Sequence, residues 1–323
     1  MSASAASASS SVNGAVVRVR VPATAANLGP GYDCAGMALA LYDDLSAEVD
    51  KTGELSIEVE GEGAGRVALD SSHLVVRAIT AGFAEAGRPL PGLRLKCHNR
   101  IPHGRGLGSS SVAIVGGLAL ARGLLADGYQ LLTDSRLLRM ATEIEGHPDN
   151  VAPALLGGFT LAWTDAAQGG RAVRLNPHTD LEPVVAIPRS PLATEQARQL
   201  LPALVPHAEA AANAARAALL TEAITHRPDL LLTASEDWLH QDYRRPAYPS
   251  SHALMVALRE RRIPSMISGA GPTVIAFGVR GTTSTGPDVL ATVEMLLVAL
   301  GVPVRNEFTA RQLGVDLAGV TQS

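Results

Sequence analysis

The chain has 323 residues, of which 46% are hydrophobic and 18% charged, a balance typical of a folded globular protein with a sizeable core. Its formal net charge of −4 argues against a basic surface for nucleic acid, so no nucleic-acid partner is expected. No apolar run reaches the roughly 18 residues of a membrane span. The only cysteines are Cys34 and Cys97, too few for a disulfide framework, which favours a reducing, cytoplasmic location.

The N-terminal part of the chain predicts a disordered tail followed by strands and one irregular segment. Residues 1–14 are almost all Ser and Ala, and we expect them to be disordered. Val16–Val21 alternates apolar and basic residues, as a half-buried strand does. The Pro, Gly and Asn residues of 22–33 are expected to break regular structure. Leu45–Val49 and Leu55–Val59 have the composition of further strands joined by a turn.

A glycine–serine loop is the most informative segment. It follows the predicted helix Leu74–Ala86 and the predicted strand Leu93–His98, and it precedes an apolar helical run over Val112–Leu125. Glycine allows a positive φ and a close approach of the backbone to a ligand, and a helix N-terminus favours an anion such as phosphate. The alternative is a loop whose serines only cap the helix. Glycines stand at alternate positions of the loop: Gly104, Gly106 and Gly108.

Lysine usage restricts the kind of nucleotide site that this loop could form. The chain has two lysines, Lys51 and Lys96, and neither follows a glycine loop. The Walker A pattern is therefore absent, and so are the motifs of the protein kinases. If the loop holds nucleotide phosphates, then backbone amides, a metal ion and arginines must neutralise them.

An amphipathic helix is predicted over Asp134–Glu145, with Asp134 or Ser135 as its cap and apolar residues at helical spacing. Glu143 lies one turn beyond an arginine and is expected to be a solvated surface group. Glu145 lies beside the apolar stripe and is expected to lean inward. A Gly-His-Pro-Asp-Asn segment follows the helix directly.

The rest of the chain mixes helices and strands without strict β-α-β alternation, which predicts an α+β fold of two domains and not a doubly wound sheet. Residues 164–170 are small or polar and interrupt the apolar patterns, so we place the domain boundary there. Beyond it the patterns predict the strands Pro183–Pro188, Ser265–Ser268, Val274–Gly278 and Val302–Phe308 and the helices Glu195–Leu201, Ala208–Ile224, His252–Arg261 and Val289–Ala299.

Three polar segments resemble the motifs of the GHMP small-molecule kinases: Pro22-Ala-Thr-Ala-Ala-Asn-Leu-Gly-Pro-Gly-Tyr-Asp, Arg105-Gly-Leu-Gly-Ser-Ser-Ser and Ile267-Ser-Gly-Ala-Gly-Pro-Thr. The first of them, together with Glu145-Gly-His-Pro-Asp-Asn-Val-Ala-Pro-Ala, resembles the homoserine kinase family in particular. The resemblance covers nearly the whole chain. It implies ATP as co-substrate, Mg²⁺ as metal, and phosphorylation of the side-chain hydroxyl of L-homoserine, a step of threonine biosynthesis.

The same resemblance implies a fold and an assembly. The fold would be the two-domain GHMP kinase fold, with an N-terminal α/β ATP-binding domain over residues 15–165 and a ferredoxin-like C-terminal GHMP kinase domain over residues 166–323. The partners would be L-homoserine and ATP, with no nucleic acid and no membrane, and the protein would form a homodimer.

For ATP and its metal, the resemblance assigns roles to the glycine–serine loop and to the following helix. Ser110 would offer its hydroxyl and Glu145 its carboxylate to Mg²⁺, a hard cation that prefers oxygen ligands. A purely structural carboxylate at a helix end is the alternative for Glu145. The ATP phosphates would be wrapped by Pro102, His103, Gly104, Arg105, Gly106, Leu107, Gly108, Ser109, Ser110 and Ser111.

For L-homoserine, the resemblance assigns residues to each end of the zwitterion. Asp33, with Asn27 nearby, would bind the ammonium, and Asn150 would hold the reacting hydroxyl. Two arginines, Arg198 and Arg244, would bind the carboxylate by paired N–H donors. The alternatives are a turn-capping role for Asp33 and surface exposure for the arginines. The catalytic set implied by the resemblance is Ser110, Glu145, Asn150 and Arg198.

Several roles stay open at this stage. Arg245 stands beside Arg244, so the assignment is uncertain by one position. Asp149 is the candidate if a catalytic base exists, whereas His147 is interpreted as structural. Two other functions are compatible with the loops: a different GHMP kinase acting on a sugar or on mevalonate, or a non-catalytic nucleotide-binding regulator.

Two departures from the family pattern concern the ATP side. Ser111 stands where alanine is common, which is a small polar change. His73 stands where asparagine is usual near the adenine pocket, so the adenine contacts are less certain than the chemistry.

Overall fold

A computed structural model gives the fold of residues 12, 15–280, 288–301 and 307–323. Except for residue 12, the tail that we predicted to be disordered lies outside these described residues. Most of the predicted strand Val302–Phe308 lies outside them too. No helix in the described part of the chain combines the length and the apolar character needed to cross a membrane.

Strands and helices alternate irregularly along the chain. The strands are β1 Val17–Ala26, β2 Ala35–Asp50, β3 Leu55–Gly61, β4 Gly92–Asn99, β5 Phe159–Asp165, β6 Gly169–Leu175, β7 Leu181–Pro188, β8 Ser265–Ile267, β9 Val274–Val279, β10 Phe308–Gln312 and β11 Thr321–Gln322. The helices are α1 Leu74–Glu85, α2 Ser109–Leu124, α3 Gly128–Leu131, α4 Asp134–Glu145, α5 Pro148–Leu156, α6 Thr194–Gln199, α7 His207–Thr225, α8 Leu231–Ala234, α9 Pro249–Glu260 and α10 Val289–Ala299.

The larger sheet contains, among the described residues, seven strands in the order β11-β1-β2-β4-β3, with β5 paired to β2 and β6 to β5. The predicted alternation in β1 is confirmed, because its valines face inward and its arginines are exposed. The strands β2 and β3 are consecutive along the chain but not neighbours, since β4 lies between them and pairs with β3 in parallel.

The prediction that regular structure breaks at residue 22 was wrong. β1 continues through Pro22 to Ala26, with a register shift between Pro22 and Ala23, and it stays paired with β2. This part of β1 is fully buried, so pairing and packing outweigh the turn preference of the sequence. The turn begins only at Asn27, where φ is +65°.

Helices cover the larger sheet and build the core on it. α2 lies against β1 and β2, with α1, α4 and α5 packed around it. Nearly all of α2 is buried because its apolar residues occupy every face of the helix. The predicted helices over Leu74–Ala86 and Asp134–Glu145 are confirmed as α1 and α4. The N-cap of α4 is Thr133 and not one of the two residues that follow it, since its hydroxyl accepts the Arg136 N–H.

The C-terminal elements form a second sheet of four described strands in the order β10-β7-β9-β8. The chain order strand, helices, strand, strand, helix, strand matches a ferredoxin-like unit. The hairpin of β5 and β6 belongs to the larger sheet, so the loosened composition at residues 164–170 is the turn of this hairpin. The predicted boundary between residues 165 and 166 falls at the end of β5, and the division into two domains stays a prediction.

Candidate active site

A cavity of about 500 Å³ lies where the glycine–serine loop meets the turn after β1, the N-terminus of α5 and the segment before α6. It brings together segments that are far apart in the chain. Of the predicted site residues, only Pro102 and Ser111 are absent from its lining. The predicted residues that line it are Asn27, Asp33, His103, Gly104, Arg105, Gly106, Leu107, Gly108, Ser109, Ser110, Glu145, Asn150, Arg198 and Arg244.

The glycine–serine loop has the backbone of an anion cradle. Gly104, Gly106 and Gly108 have φ values of +67°, +73° and +70°, which side-chain-bearing residues rarely adopt. α2 begins at Ser109, directly after this turn, so its first N–H groups are free of intrahelical partners. These N–H groups and the positive end of the helix dipole adjoin the cavity, as a phosphate site requires.

The loop is held in place by the segment between β8 and β9. Ser268 donates its hydroxyl hydrogen bond to the Gly106 carbonyl at 2.6 Å, and the Thr273 N–H reaches the Arg105 carbonyl. A Cβ on Gly106 would lie 2.2 Å from the Ser268 carbonyl oxygen, so the two backbones meet without room for a side chain. The motif Ile267–Thr273 therefore holds the motif Arg105–Ser111 in place.

The Arg105 side chain also anchors this loop. Its guanidinium donates to the backbone carbonyls of Pro188, His103 and Arg189, with 3.0 Å between Nε and the Pro188 oxygen. Burial lowers the pKa of Arg105. With its donors occupied by carbonyls, Arg105 offers the cavity mainly its backbone.

Glu145 and two serines meet at the N-terminus of α2. The Ser110 and Ser111 hydroxyls both donate to Glu145 Oε1, at 2.5 and 2.8 Å. Glu145 is half-buried, which agrees with the predicted inward lean, and its neighbour Glu143 pairs with an arginine at the surface. Ser111 is fully buried, so its contribution is to orient the carboxylate.

The oxygen donors around Glu145 fit a magnesium ion. Mg²⁺ is usually held by one or two carboxylates together with the phosphates of the substrate, which does not require a cluster of acidic residues. Within the described residues no group of three or more His, Cys, Asp or Glu side chains is arranged for a metal. One carboxylate and the Ser110 hydroxyl beside a phosphate cradle meet this requirement.

Asn150 is fixed beside the glycine loop by a residue that the motif analysis did not single out. The Thr24 hydroxyl, on β1, donates to Asn150 Oδ1 at 2.8 Å, and both residues are buried. The Asn150 amide N–H groups are thereby left for another acceptor. Thr24 lies in the first motif, which was the available signal for it.

His147 and Asp149 form a second polar pair in the cavity wall. His147 Nδ1 lies 2.5 Å from Asp149 Oδ1, and Asp149 is almost fully buried. Burial opposes the charge of His147, but the hydrogen bond and the negative charge of Asp149 together raise its pKa. The interpretation of His147 as structural stays a prediction.

Asp33 and Arg198 form an ion pair with each other. Arg198 Nη2 lies 2.9 Å from Asp33 Oδ1, and its Nη1 lies 3.2 Å from Asp33 Oδ2. Asn27 supports the same turn, because it accepts the Asp33 N–H and donates to the Gly269 carbonyl. The residues that the resemblance assigned to opposite charges of one ligand are therefore already neighbours.

Arg244 lies in the cavity wall with 1% of its surface exposed, whereas Arg245 is exposed. Its guanidinium donates to the Ala197 carbonyl at 3.2 Å and approaches His240 Nδ1 at 3.5 Å. No carboxylate in the described part of the chain pairs with it. The geometry therefore favours Arg244 over Arg245 as the cavity residue.

The remaining wall of the cavity is formed partly by Asp43 and His73. His73 is buried, burial lowers its pKa, and its Nδ1 has no hydrogen-bond partner among the described residues. Asp43 Oδ1 accepts the backbone N–H groups of Arg100 and Ile101 at 2.6 and 2.9 Å. Asp43 was missed in the sequence because a single aspartate inside a strand carries no motif.

We expect Asp43 to make the protein less stable as the pH rises. Burial raises its pKa from 3.8 to about 6, despite the two N–H donors. The folded protein therefore holds this proton more tightly than the unfolded chain, and the free energy of unfolding falls between these two pH values by up to about 3 kcal/mol. Asp43→Asn keeps an acceptor oxygen and should remove the fall, as measured by denaturant unfolding from pH 4 to 8.

The half-buried neighbour Asp44 provides the matched control. Its pKa is lowered, first by its hydrogen bond with Arg20, so its contribution has the opposite sign and is lost as the pH falls. Asp44→Asn should leave the decline above pH 4 in place. Parallel curves for the wild type and Asp43→Asn would contradict the assignment.

The chain is similar in sequence to known kinases over most of its length. The model of the GHMP kinase N-terminal domain matches residues 73–158. The homoserine kinase of Streptomyces coelicolor is 51% identical over 307 residues, covering 95% of this chain and 94% of its own length. The homoserine kinase of Streptomyces avermitilis is 55% identical over 263 residues, covering 81% of this chain and 86% of its own.

A solved structure shares the fold over the full length. The crystal structure of homoserine kinase from Cytophaga hutchinsonii aligns with a TM-score of 0.80 at 22% identity and covers 100% of both chains. At this identity the structural likeness speaks for the fold alone, which is that of the GHMP kinases. The sequence relatives, at about half identity over most of the chain, carry the closer assignment, and the chain belongs to the homoserine kinase family.

Proposed function

We propose that the protein transfers the γ-phosphoryl group of ATP to the side-chain hydroxyl of L-homoserine, giving O-phospho-L-homoserine and ADP. The reaction is that of a phosphotransferase with an alcohol as acceptor, and it belongs to threonine biosynthesis. Family membership supports the reaction, and the cavity supports the roles of the residues.

The observation that carries the choice of acceptor is the buried guanidinium of Arg244. A buried charge without an ionic partner is costly, so a ligand with a negative group is favoured at this place. Asp33 lies in the same cavity and offers a negative charge near Arg198. An amino acid has both a free carboxylate, which Arg244 would bind, and a free ammonium, which Asp33 would bind. Sugars and mevalonate lack the ammonium.

Asn150 and the glycine loop account for the chemistry. The acceptor oxygen must form its bond to the γ-phosphorus while the bond to ADP breaks, and the hydroxyl proton passes to an oxygen of the transferred phosphoryl group. Asn150, with its oxygen engaged by Thr24, would direct an amide N–H at the acceptor oxygen. Because phosphoryl transfer has a loose transition state, positioning and charge stabilisation suffice. Asp149, whose Oδ1 is bonded to His147, is then not required as a base.

Mg²⁺ would be held by Glu145 and Ser110 together with the ATP phosphates. When bound, it would neutralise charge on the phosphates, which no lysine of the glycine loop can do in this chain. The backbone N–H groups of the loop and of the first turn of α2 would do the same from the protein side.

The test is turnover with ATP, Mg²⁺ and a panel of alcohols, followed by coupled detection of ADP. We expect L-homoserine to be preferred over L-serine, mevalonate and simple sugars. Equal rates on all acceptors would reject the proposed substrate. ATP binding without turnover on any acceptor would favour the regulator instead.

The homodimer and the cytoplasmic location are also proposals. The first rests on the family resemblance and the second on the small number of cysteines. Sedimentation of the purified protein at several concentrations tests the first. A single species of monomer mass would reject it.

A further inference from the structure

Tyr32 is a residue of the first motif for which the proposed function has no use so far. Its hydroxyl lies 3.2 Å from Arg198 Nη1 and 3.4 Å from Arg244 Nη2. Both nitrogens are donors without acceptor capacity, so the Tyr32 oxygen accepts from both. The structure describes no other side-chain hydroxyl that bonds to both guanidinium groups.

The rest of the Tyr32 side chain is arranged around the same two cations. Its ring centroid lies 5.4 Å from the Arg244 guanidinium carbon and 6.0 Å from that of Arg198, a distance at which the ring face attracts a cation. His240, which is fully buried, contacts the ring with 5.3 Å between centroids. His240 in turn bonds to the Gly29 carbonyl at 2.8 Å, which ties the ring to the turn after β1.

Two guanidinium groups of like charge repel each other, and an acceptor between them offsets this. Arg244 is fixed by burial, but the Arg198 side chain is 38% exposed and comes from the short helix α6. Without the Tyr32 oxygen, Arg198 retains Asp33 as its one acceptor among the described residues. The distance between the two guanidinium groups would then no longer be fixed by a shared hydrogen-bond acceptor.

We propose that Tyr32 is a positioning residue that holds Arg198 and Arg244 at the spacing needed to bind the carboxylate of the acceptor. This inference rests on the proposed function. Tyr32 is not among the residues described as lining the cavity, so it acts through the two arginines. It thereby determines how strongly the enzyme prefers an acceptor with a carboxylate over one without.

The test compares Tyr32→Phe with the wild type on two acceptors, L-homoserine and 3-amino-1-propanol, which is homoserine without its carboxylate. We expect KM for homoserine to rise about tenfold, the value of one hydrogen bond to a charged group, with kcat nearly unchanged. The kcat/KM for 3-amino-1-propanol should change less than about twofold. An equal loss on both acceptors, or no loss on either, would overturn the role of Tyr32.

Two controls separate this role from a general loss of structure. Tyr42→Phe removes a hydroxyl that bonds to Asp316 outside the cavity, and it should leave both acceptors unaffected. In a background of Arg198→Ala, Tyr32→Phe should have much less effect on KM for homoserine, because one of the two groups whose spacing it sets is gone. Full additivity of the two changes would contradict the inference. Failure of the wild type to phosphorylate homoserine would overturn the proposed function itself.

Discussion

Glu145→Ala is expected to lower kcat by about a thousandfold while the dissociation constant for ATP changes far less. The Ser110 and Ser111 hydroxyls both donate to this carboxylate, which lies beside the glycine–serine loop. Its loss would misplace the metal, whose stabilisation of charge is greatest in the transition state. The backbone N–H groups that are proposed to bind the phosphates would remain. Steady-state kinetics and titration with a non-hydrolysable ATP analogue give the two values.

Glu143→Ala is the control on the same helix. Glu143 pairs with Arg139 at the exposed surface, so its removal should change kcat by less than about twofold. Glu145→Gln adds a second comparison, since it keeps an oxygen acceptor for the two serines and loses only the charge. A drop in ATP affinity that matches the drop in kcat would contradict the proposed role.

Gly108→Ala is expected to reduce kcat/KM by about a hundredfold, the cost of misplacing reacting groups by roughly an ångström. A Cβ at this position would lie 1.9 Å from the Thr24 hydroxyl and 3.1 Å from Asn150 Oδ1. The Thr24–Asn150 hydrogen bond would break or shift, and the loop with it. The φ of +70° adds roughly 1–2 kcal/mol of backbone strain. Kinetics and thermal unfolding measure the two effects.

Gly87→Ala separates strain from collision. Its φ of +65° is nearly the same, but no atom lies within 4 Å of the added Cβ. We expect a loss of about 1 kcal/mol in unfolding free energy and unchanged activity. If Gly108→Ala lost only stability and kept its activity, as expected for Gly87→Ala, the close approach of the loop to Thr24 would not matter for activity.

Local patterns in the sequence were sufficient for most elements beyond the first motif. Amphipathic or uniformly apolar runs located α1, α2, α4 and α10 to within a few residues. The errors arose where packing outweighs local preference. β1 extends through Pro22 because β2 pairs with it and the helices α2 and α5 pack on it. The composition of residues 164–170 reflects the turn between β5 and β6, and the domain boundary placed there stays a prediction.

For the site, the motifs identified the segments, and the fold decided which atoms meet. The sequence does not distinguish Arg244 from Arg245 as the cavity residue. The structure does, because Arg244 is buried and Arg245 is exposed. The bonds of Tyr32 to Arg198 and Arg244 join positions that are 166 and 212 residues apart. Contacts between positions so far apart cannot be predicted from the spacing of residues in the sequence.

The sequence by itself determined the α+β class, the glycine–serine loop without a lysine, and the family, because glycine spacing, residue counts and motifs are local properties. Only the tertiary structure decided how the charged side chains are arranged. It pairs Asp33 with Arg198, buries Arg244 without a described carboxylate, and bonds Ser110 and Ser111 to Glu145. Hydrogen bonds and ion pairs depend on distances of a few ångströms between segments, and those distances exist only after the sheets and helices have packed.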